Sequence, residues 1–207
     1  IDLVGCDMIT DLIPIRPGMH YAMGGIRTNV DGQTNLPGVY AAGECACVSV
    51  HGGNRLGANS LLDTIVFGER SGNHAAEVAR SIDYVEFNVD QAVRNEEKRI
   101  QELLDRPQNG DRIAAVRLGM GESMNRNLAV YRNGEGMQET LEDLTELEKR
   151  YETVPVENKG RIFNTDLVFA LELGFMLDNA TPIAMSALDR KDSRGAQART
   201  DYPDRDD

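Results

Sequence analysis

The sequence predicts an α/β segment followed by an all-α bundle. Three features carry that expectation. Glycines, β-branched residues and turn dipeptides crowd residues 1–80. Glycine thins and charge rises over 81–207, where four stretches repeat apolar residues at helical spacing. Within the first part the order is strand, loop, helix, a layout in which ligands sit beyond the strand end.

The elements follow in chain order. "IDLVGCDM" opens either a helix or a loop, and "LIPIRPG", with two prolines, reads as an extended linker. "GGIRTNV" is a strand entering a tight turn at Asp31-Gly32. "NLPGVYAAGE" holds a turn at Pro37-Gly38 and a short buried strand over 39–42, ending at Gly43-Glu44. A helix then begins at the cap-type residues Asn59 and Ser60, with Leu61, Ile65, Gly68/Glu69 and Gly72 on one stripe.

In the second part, "VDQAVRNEEKRIQELLDR" is helical, with Val93, Ile100, Leu103 and Leu104 on a partly apolar face. "DRIAAVRLGMGESMNRNL" is a second helix, weakened by Gly119 and Gly121. "MQETLEDLTELEKRYETV" is a third, with Met137, Leu141, Leu144 and Tyr151 on one stripe. "NTDLVFALELGFMLDNATPIAMSALDRK" starts from Asn164 or Thr165 as cap. As the longest and most apolar helix it belongs at the centre of the bundle. Pro182 should kink it or end a segment.

Composition bounds the function. With 41% hydrophobic and 27% charged residues the chain is globular in character. A formal net charge of −12 argues against nucleic acid as a partner, while leaving room for a local basic pocket that takes small anions. Cys6, Cys45 and Cys47 form no paired metal-ligand pattern, so they read as free thiols in a reducing compartment, with no metal site. No uninterrupted apolar run reaches about 18 residues, so no membrane-crossing segment is expected, and no signal peptide is visible. The first residue, Ile1, and the ending "DYPDRDD" suggest a piece of a longer chain, cut at both ends.

The sharpest motif is "HGGNRLGANSLLD", residues 51–63. Arg55 lies among Gly52, Gly53 and Gly57, which allow a ligand and the backbone to approach closely. The helix that follows turns its free N–H groups toward the same region, where they favour negative charge. "HYAMGGI", 20–26, pairs His20 with a double glycine, and "VYAAGE" puts Glu44 at a strand end, where a carboxylate can accept from sugar-type hydroxyls. No Gly-x-Gly-x-x-Gly follows a strand, so the phosphate-cradling half of a dinucleotide site is absent. In the helical half, Glu142, Asp143, Glu146 and Glu148 read as a solvated face. "SRGAQARTDYPDRDD", with Arg194, Arg199 and Arg205, reads at most as an interaction or docking loop.

Three stretches, "HYAMGGI", "AAGECACVSVHGGNRLGANSLLD" and "DSRGAQARTDYPDRDD", together closely resemble the flavoprotein subunit of succinate dehydrogenase and fumarate reductase. "YRNGEGMQ" and "NTDL" fit the same pattern in order and spacing, so the likeness covers essentially the whole chain. L-Aspartate oxidase is a close relative, but Met23 before the double glycine and the "RTDYPDRDD" ending favour the succinate/fumarate branch.

The resemblance implies that residues 1–19 are the tail of a capping domain. It makes 20–80 the C-terminal strand–helix part of a doubly wound FAD-binding domain, and 81–207 the C-terminal helical bundle domain. It implies FAD as cofactor, succinate or fumarate as substrate, an iron–sulfur subunit as electron acceptor, and membrane anchor subunits reached indirectly. The location implied is peripheral, on the cytoplasmic face of the plasma membrane or the matrix side of a mitochondrial one. His20 and Arg55 match the family's carboxylate-binding residues. Glu44 matches the acid that holds FAD, and Ser60 and Leu61 match residues whose backbone meets the flavin ring. His51 has a supporting role. The family's proton-shuttling arginine falls upstream, so no catalytic residue is assigned here.

Overall fold

The computed structural model describes residues 5–7, 9–15, 18–83, 86 and 88–206. Most of "IDLVGCDM" and part of "LIPIRPG" therefore lie outside the described residues. The chain divides into two compact units, Ile1–Ile82 and Asp83–Asp207.

The first unit is built around a short parallel pair, β1 (Ile26–Arg27) and β2 (Ala46–Cys47), with Ile26 opposite Ala46 and Arg27 opposite Cys47. The turn after β1 is closed by Asn29, whose side-chain oxygen accepts the N–H groups of Asp31 (2.9 Å) and Gln33 (3.0 Å). The strand expected over 39–42 is not formed. Only an isolated bridge, Gln33 to Tyr40, occurs there. The backbone is satisfied locally instead: Thr34 N–H donates to the Val39 carbonyl, and Val39 N–H to that of Leu36. A 3-10 turn, Gly43–Cys45, intervenes, and the strand comes one step later as β2.

Helix α1 (Asn59–Ser81) follows the loop 48–58. Asn59 and Ser60 are its first residues and not its cap. The cap position is Ala58, left-handed at φ 65 and without a side-chain hydrogen bond to offer. The expected stripe is there, but Leu61 (69%) and Ile65 (65%) are exposed, while the inward face carries Asp63 and Ser71. The reason lies in what packs on that face. Arg70 reaches back to the Val30 carbonyl (2.7 Å) and to Asp31 (2.9 Å), and the loop residues ahead of α1 offer hydrogen-bonding groups, so polar residues are the ones that face inward.

The second unit contains α2 (Asp90–Asp105), α3 (Ile113–Asn127), β3 (Tyr131–Arg132), α4 (Gly134–Tyr151), α5 (Thr165–Asp189) and β4 (Ala198–Arg199). Val116 and Met120 of α3, Met137 and Leu144 of α4, and Leu173 and Leu177 of α5 form one core. Leu103 and Leu104 of α2 join Val156 and Ala170 in a second. Because α5 contributes to both, it is the central helix.

Helix α4 starts three residues before the expected Met137, because Asn133 caps it by accepting from Gly136 N–H (2.8 Å). Asn164 caps α5 in the same way through Leu167 N–H (2.9 Å). Pro182 neither ends nor splits α5. Its neighbours Ala180 and Ala184 are buried in the core, and Thr181 donates to Glu148 of α4 (3.1 Å), so tertiary packing holds the turn that lost a backbone bond.

By length and mean hydropathy (1.3 over 18 residues) α5 is apolar enough to cross a membrane. The uninterrupted-run criterion missed this because Glu172, Asp178 and Asn179 break the run without lowering the average much. Here α5 lies against α3 and α4 through Leu173, Leu177, Ala180, Ala184 and Ala187.

The C-terminal stretch read as a docking loop is built into the bundle. β4 pairs in parallel with β3, with Arg132 opposite Arg199. Arg199 is 3% exposed and donates to the carbonyls of Ala187, Leu188 and Arg190, closing the C-terminus of α5. Asp201 takes the other side of the same guanidinium in a two-bond fork and accepts Gly134 N–H (2.8 Å) at the start of α4. The hydrogen bonds from Arg199 hold the Asp201 carboxyl well below the ordinary carboxylate range, with the Gly134 amide adding to the effect.

Candidate functional site

The site is assembled by three stretches of the first unit: residues 20–25, the 3-10 turn with the loop into α1, and the first turns of α1. Gly25 sits at φ 111, and a Cβ placed there would lie 2.4 Å from the Cys45 carbonyl oxygen. Only glycine permits this contact between "GG" and the 3-10 turn. Glu44, on that turn, reinforces it by accepting Ala22 N–H (2.9 Å).

Beside this junction is a buried polar cluster. Tyr21 donates its hydroxyl to Asp63 Oδ2 (3.1 Å), and His51 Nε2 lies 3.2 Å from the same oxygen. The side chains of His51 and Asp63 are 11% and 4% exposed. The Tyr21 and His51 rings meet edge to face, 5.3 Å apart at 86°. Burial pushes the Tyr21 hydroxyl pKa up, and the bond to Asp63 adds to that. His51 meets Asp63 through Nε2 and not through Nδ1.

Arg55 lies over the Tyr21 ring, 4.7 Å from guanidinium carbon to centroid, and donates to its neighbour's carbonyl, Leu56 O (3.1 Å). Its Nε and the Nδ1 of His51 are buried without a hydrogen-bond partner. A buried polar atom left unpaired is costly, so two of them beside each other's platform mark a place where a further polar group belongs.

The expected residues are distributed as follows. Arg55 is half-buried in the cluster. Glu44 is exposed apart from its bond to Ala22. His20 is exposed, immediately before Tyr21, and no described contact joins it to Arg55; Tyr21 makes that link. Ser60 and Leu61 form the first turn of α1, where Leu61 N–H donates to the Ala58 carbonyl (3.2 Å). Sequence reasoning missed Tyr21 and Asp63. Their signals were weak but present: Asp63 lies three residues after Ser60, on the helix face that turns inward, and Tyr21 adjoins the selected histidine.

A glycine-lined junction, a helix start without a side-chain cap and a half-buried arginine suit a flavin-binding α/β segment. The comparisons agree. The family described as "FAD binding domain" matches residues 2–61, and that described as "Fumarate reductase flavoprotein C-term" matches residues 117–207. A fumarate reductase flavoprotein subunit of Mycobacterium tuberculosis is 43% identical over 206 residues, 97% of this chain and 35% of that protein. A succinate dehydrogenase flavoprotein subunit of Rickettsia bellii is 40% identical over 214 residues, 98% of this chain and 36% of that protein. Among solved structures, the FrdA chain of an Escherichia coli quinol fumarate reductase superposes with a TM-score of 0.89 at 38% identity, covering 99% of this chain and 35% of that one. Over nearly its whole length the chain is similar to the flavoprotein subunits of succinate dehydrogenase and fumarate reductase, and it spans 35% of the length of the first of these relatives.

The residues present fit the family's FAD. The start of α1 has no side-chain cap, and although the Asn59 and Leu61 N–H groups already donate to the Leu56 and Ala58 carbonyls, its dipole suits the electron-rich edge of a flavin. The exposed Glu44 carboxylate keeps acceptor capacity for ribose hydroxyls beyond its one bond to Ala22.

Proposed function

We propose that the full-length protein oxidises succinate to fumarate, with FAD as the group that accepts the hydride, and passes electrons to an iron–sulfur subunit. The substrate is a four-carbon dianion that gives up a hydride and a proton. Arg55 binds one carboxylate through two parallel N–H donors, which fixes both distance and plane. Tyr21 fixes Arg55 from behind by lying under its guanidinium. His20 donates to a carboxylate from the exposed segment next to Tyr21. The start of α1 at Ser60 and Leu61 favours negative charge on the polar edge of the bound cofactor, Leu61 through the helix dipole because its N–H already donates to the Ala58 carbonyl, and so tunes its potential. Pinning both ends of the diacid is positioning catalysis. Glu44 holds the cofactor's sugar.

The observation that carries this reading is Arg55: half-buried on an aromatic ring, with an unpaired Nε, in a glycine loop that runs into an uncapped helix. Fumarate reduction is the second reading, favoured by relatives from Mycobacterium tuberculosis and a Serratia species that are fumarate reductase flavoprotein subunits. We further place the protein peripherally, on the cytoplasmic face of the plasma membrane or the matrix side of a mitochondrial one, with membrane anchor subunits reached through the iron–sulfur partner. The test is turnover of the full-length flavoprotein with succinate, fumarate and aspartate as alternative substrates. Succinate or fumarate turnover supports the reading. Aspartate oxidation with neither of the others sinks it.

A further inference from the structure

We propose that Asp63, His51 and Tyr21 form a positioning network that holds Arg55 in its carboxylate-binding pose; the inference rests on the assignment of Arg55 above. Asp63 is buried with one oxygen accepting from the Tyr21 hydroxyl and lying 3.2 Å from His51 Nε2. The three residues come from three different stretches: 20–25, the loop ahead of α1, and α1 itself. One carboxylate therefore ties all of them to a single point. The Tyr21 ring, fixed at its hydroxyl end by Asp63 and at its edge by His51, is the surface on which the Arg55 guanidinium rests at 4.7 Å.

Arg55 has little else to hold it. Among the described residues, its one hydrogen bond goes to the carbonyl of the next residue, inside the same glycine-bearing loop. A long side chain in such a loop would sample many rotamers, and a carboxylate ligand would have to order it on binding. The network supplies that order in advance. Asp63 and Tyr21 touch neither substrate nor cofactor in this account, so they are positioning residues.

The experiment uses the full-length, FAD-loaded flavoprotein and malonate, a dicarboxylate whose single methylene leaves no CH2–CH2 bond to desaturate. Binding is read by calorimetry, FAD content by flavin absorbance, and KM and kcat with succinate separately. Tyr21→Leu removes the ring, and the malonate dissociation constant should rise about tenfold. Tyr21→Phe and Asp63→Asn keep the ring but loosen its anchor, and each should raise it about threefold. In all three, KM should rise more than kcat falls, with FAD content unchanged. Arg55→Lys is the control for the underlying reading. If Arg55→Lys loses malonate and Tyr21→Leu binds it within twofold of the parent, the network is wrong and the role of Arg55 stands. If Arg55→Lys binds malonate normally, the site assignment itself is wrong. Should the Leu or Asn variant fail to fold, Tyr21→Phe, which removes one hydroxyl, decides; an unchanged constant there overturns the proposal.

Discussion

Arg199 and Arg55 rest on similar aromatic surfaces and are left in opposite states. Arg199 lies 4.9 Å from the Tyr202 ring, with Nε and one terminal nitrogen bound to Asp201 and the other on the carbonyls that end α5. Arg55 lies 4.7 Å from the Tyr21 ring, with one bond to its neighbour's carbonyl and a buried, unpaired Nε. The first guanidinium is saturated and joins the ends of two helices. The second keeps its donors available. Charge and an aromatic neighbour do not separate these two arginines; the number of donors already used does, and it is what supports the ligand-binding role proposed for Arg55.

The largest way to break this contrast is to remove the saturated arginine. Arg199→Met should cost roughly 3 kcal/mol, because it strands Asp201 and uncaps α5 at once. Urea denaturation of the full-length protein measures it. Arg55→Lys should leave the unfolding midpoint nearly unchanged and lower kcat/KM for the dicarboxylate about 100-fold, through loss of the bidentate geometry. If the two substitutions produced the same balance of stability and activity loss, the distinction would fail.

Gly25→Ala tests the junction behind Arg55. With a Cβ 2.4 Å from the Cys45 carbonyl and φ at 111, it should cost about 2 kcal/mol and reduce the FAD retained after gel filtration. Asn133→Ala, which uncaps α4 on the Arg199 side, should cost about 1 kcal/mol with no change in FAD content.

The smallest expected effect is on pH. Asp201 has its pKa depressed in the folded state, chiefly by Arg199. Its contribution is therefore present above the unfolded carboxylate pKa of about 4 and lost as pH falls through the folded value. The parent should lose stability on acidification across that range, and Arg199→Met should lose less, because its Asp201 no longer carries the shift. A difference that grew on acidification would contradict the assignment.

Much of this was legible along the chain. The five helices follow from apolar spacing, and Asn164 from cap chemistry. Arg55 stood out because glycines surround it in sequence, and Glu44, Ser60 and Leu61 because their motif is contiguous. Arg199 looked like part of a docking loop because its partners, the carbonyls of 187–190 and the fork of Asp201, cannot be seen as a pattern of residue types. The strand expected over 39–42 failed for a similar reason: β propensity there was real, but Thr34 and the turn after it had already taken the backbone groups.

The sequence by itself determined where the helices run, that the first part is a strand–loop–helix segment, and which family motif surrounds Arg55, since periodicity, capping and contiguous motifs are local properties. Only the tertiary structure decided that Pro182 stays within α5, that α1 turns Asp63 and Ser71 inward, and that Tyr21, His51 and Asp63 meet beneath Arg55. Those outcomes depend on which polar groups find partners across 12 to 42 residues of separation, and hydrogen-bond satisfaction at that range is a property of the folded chain.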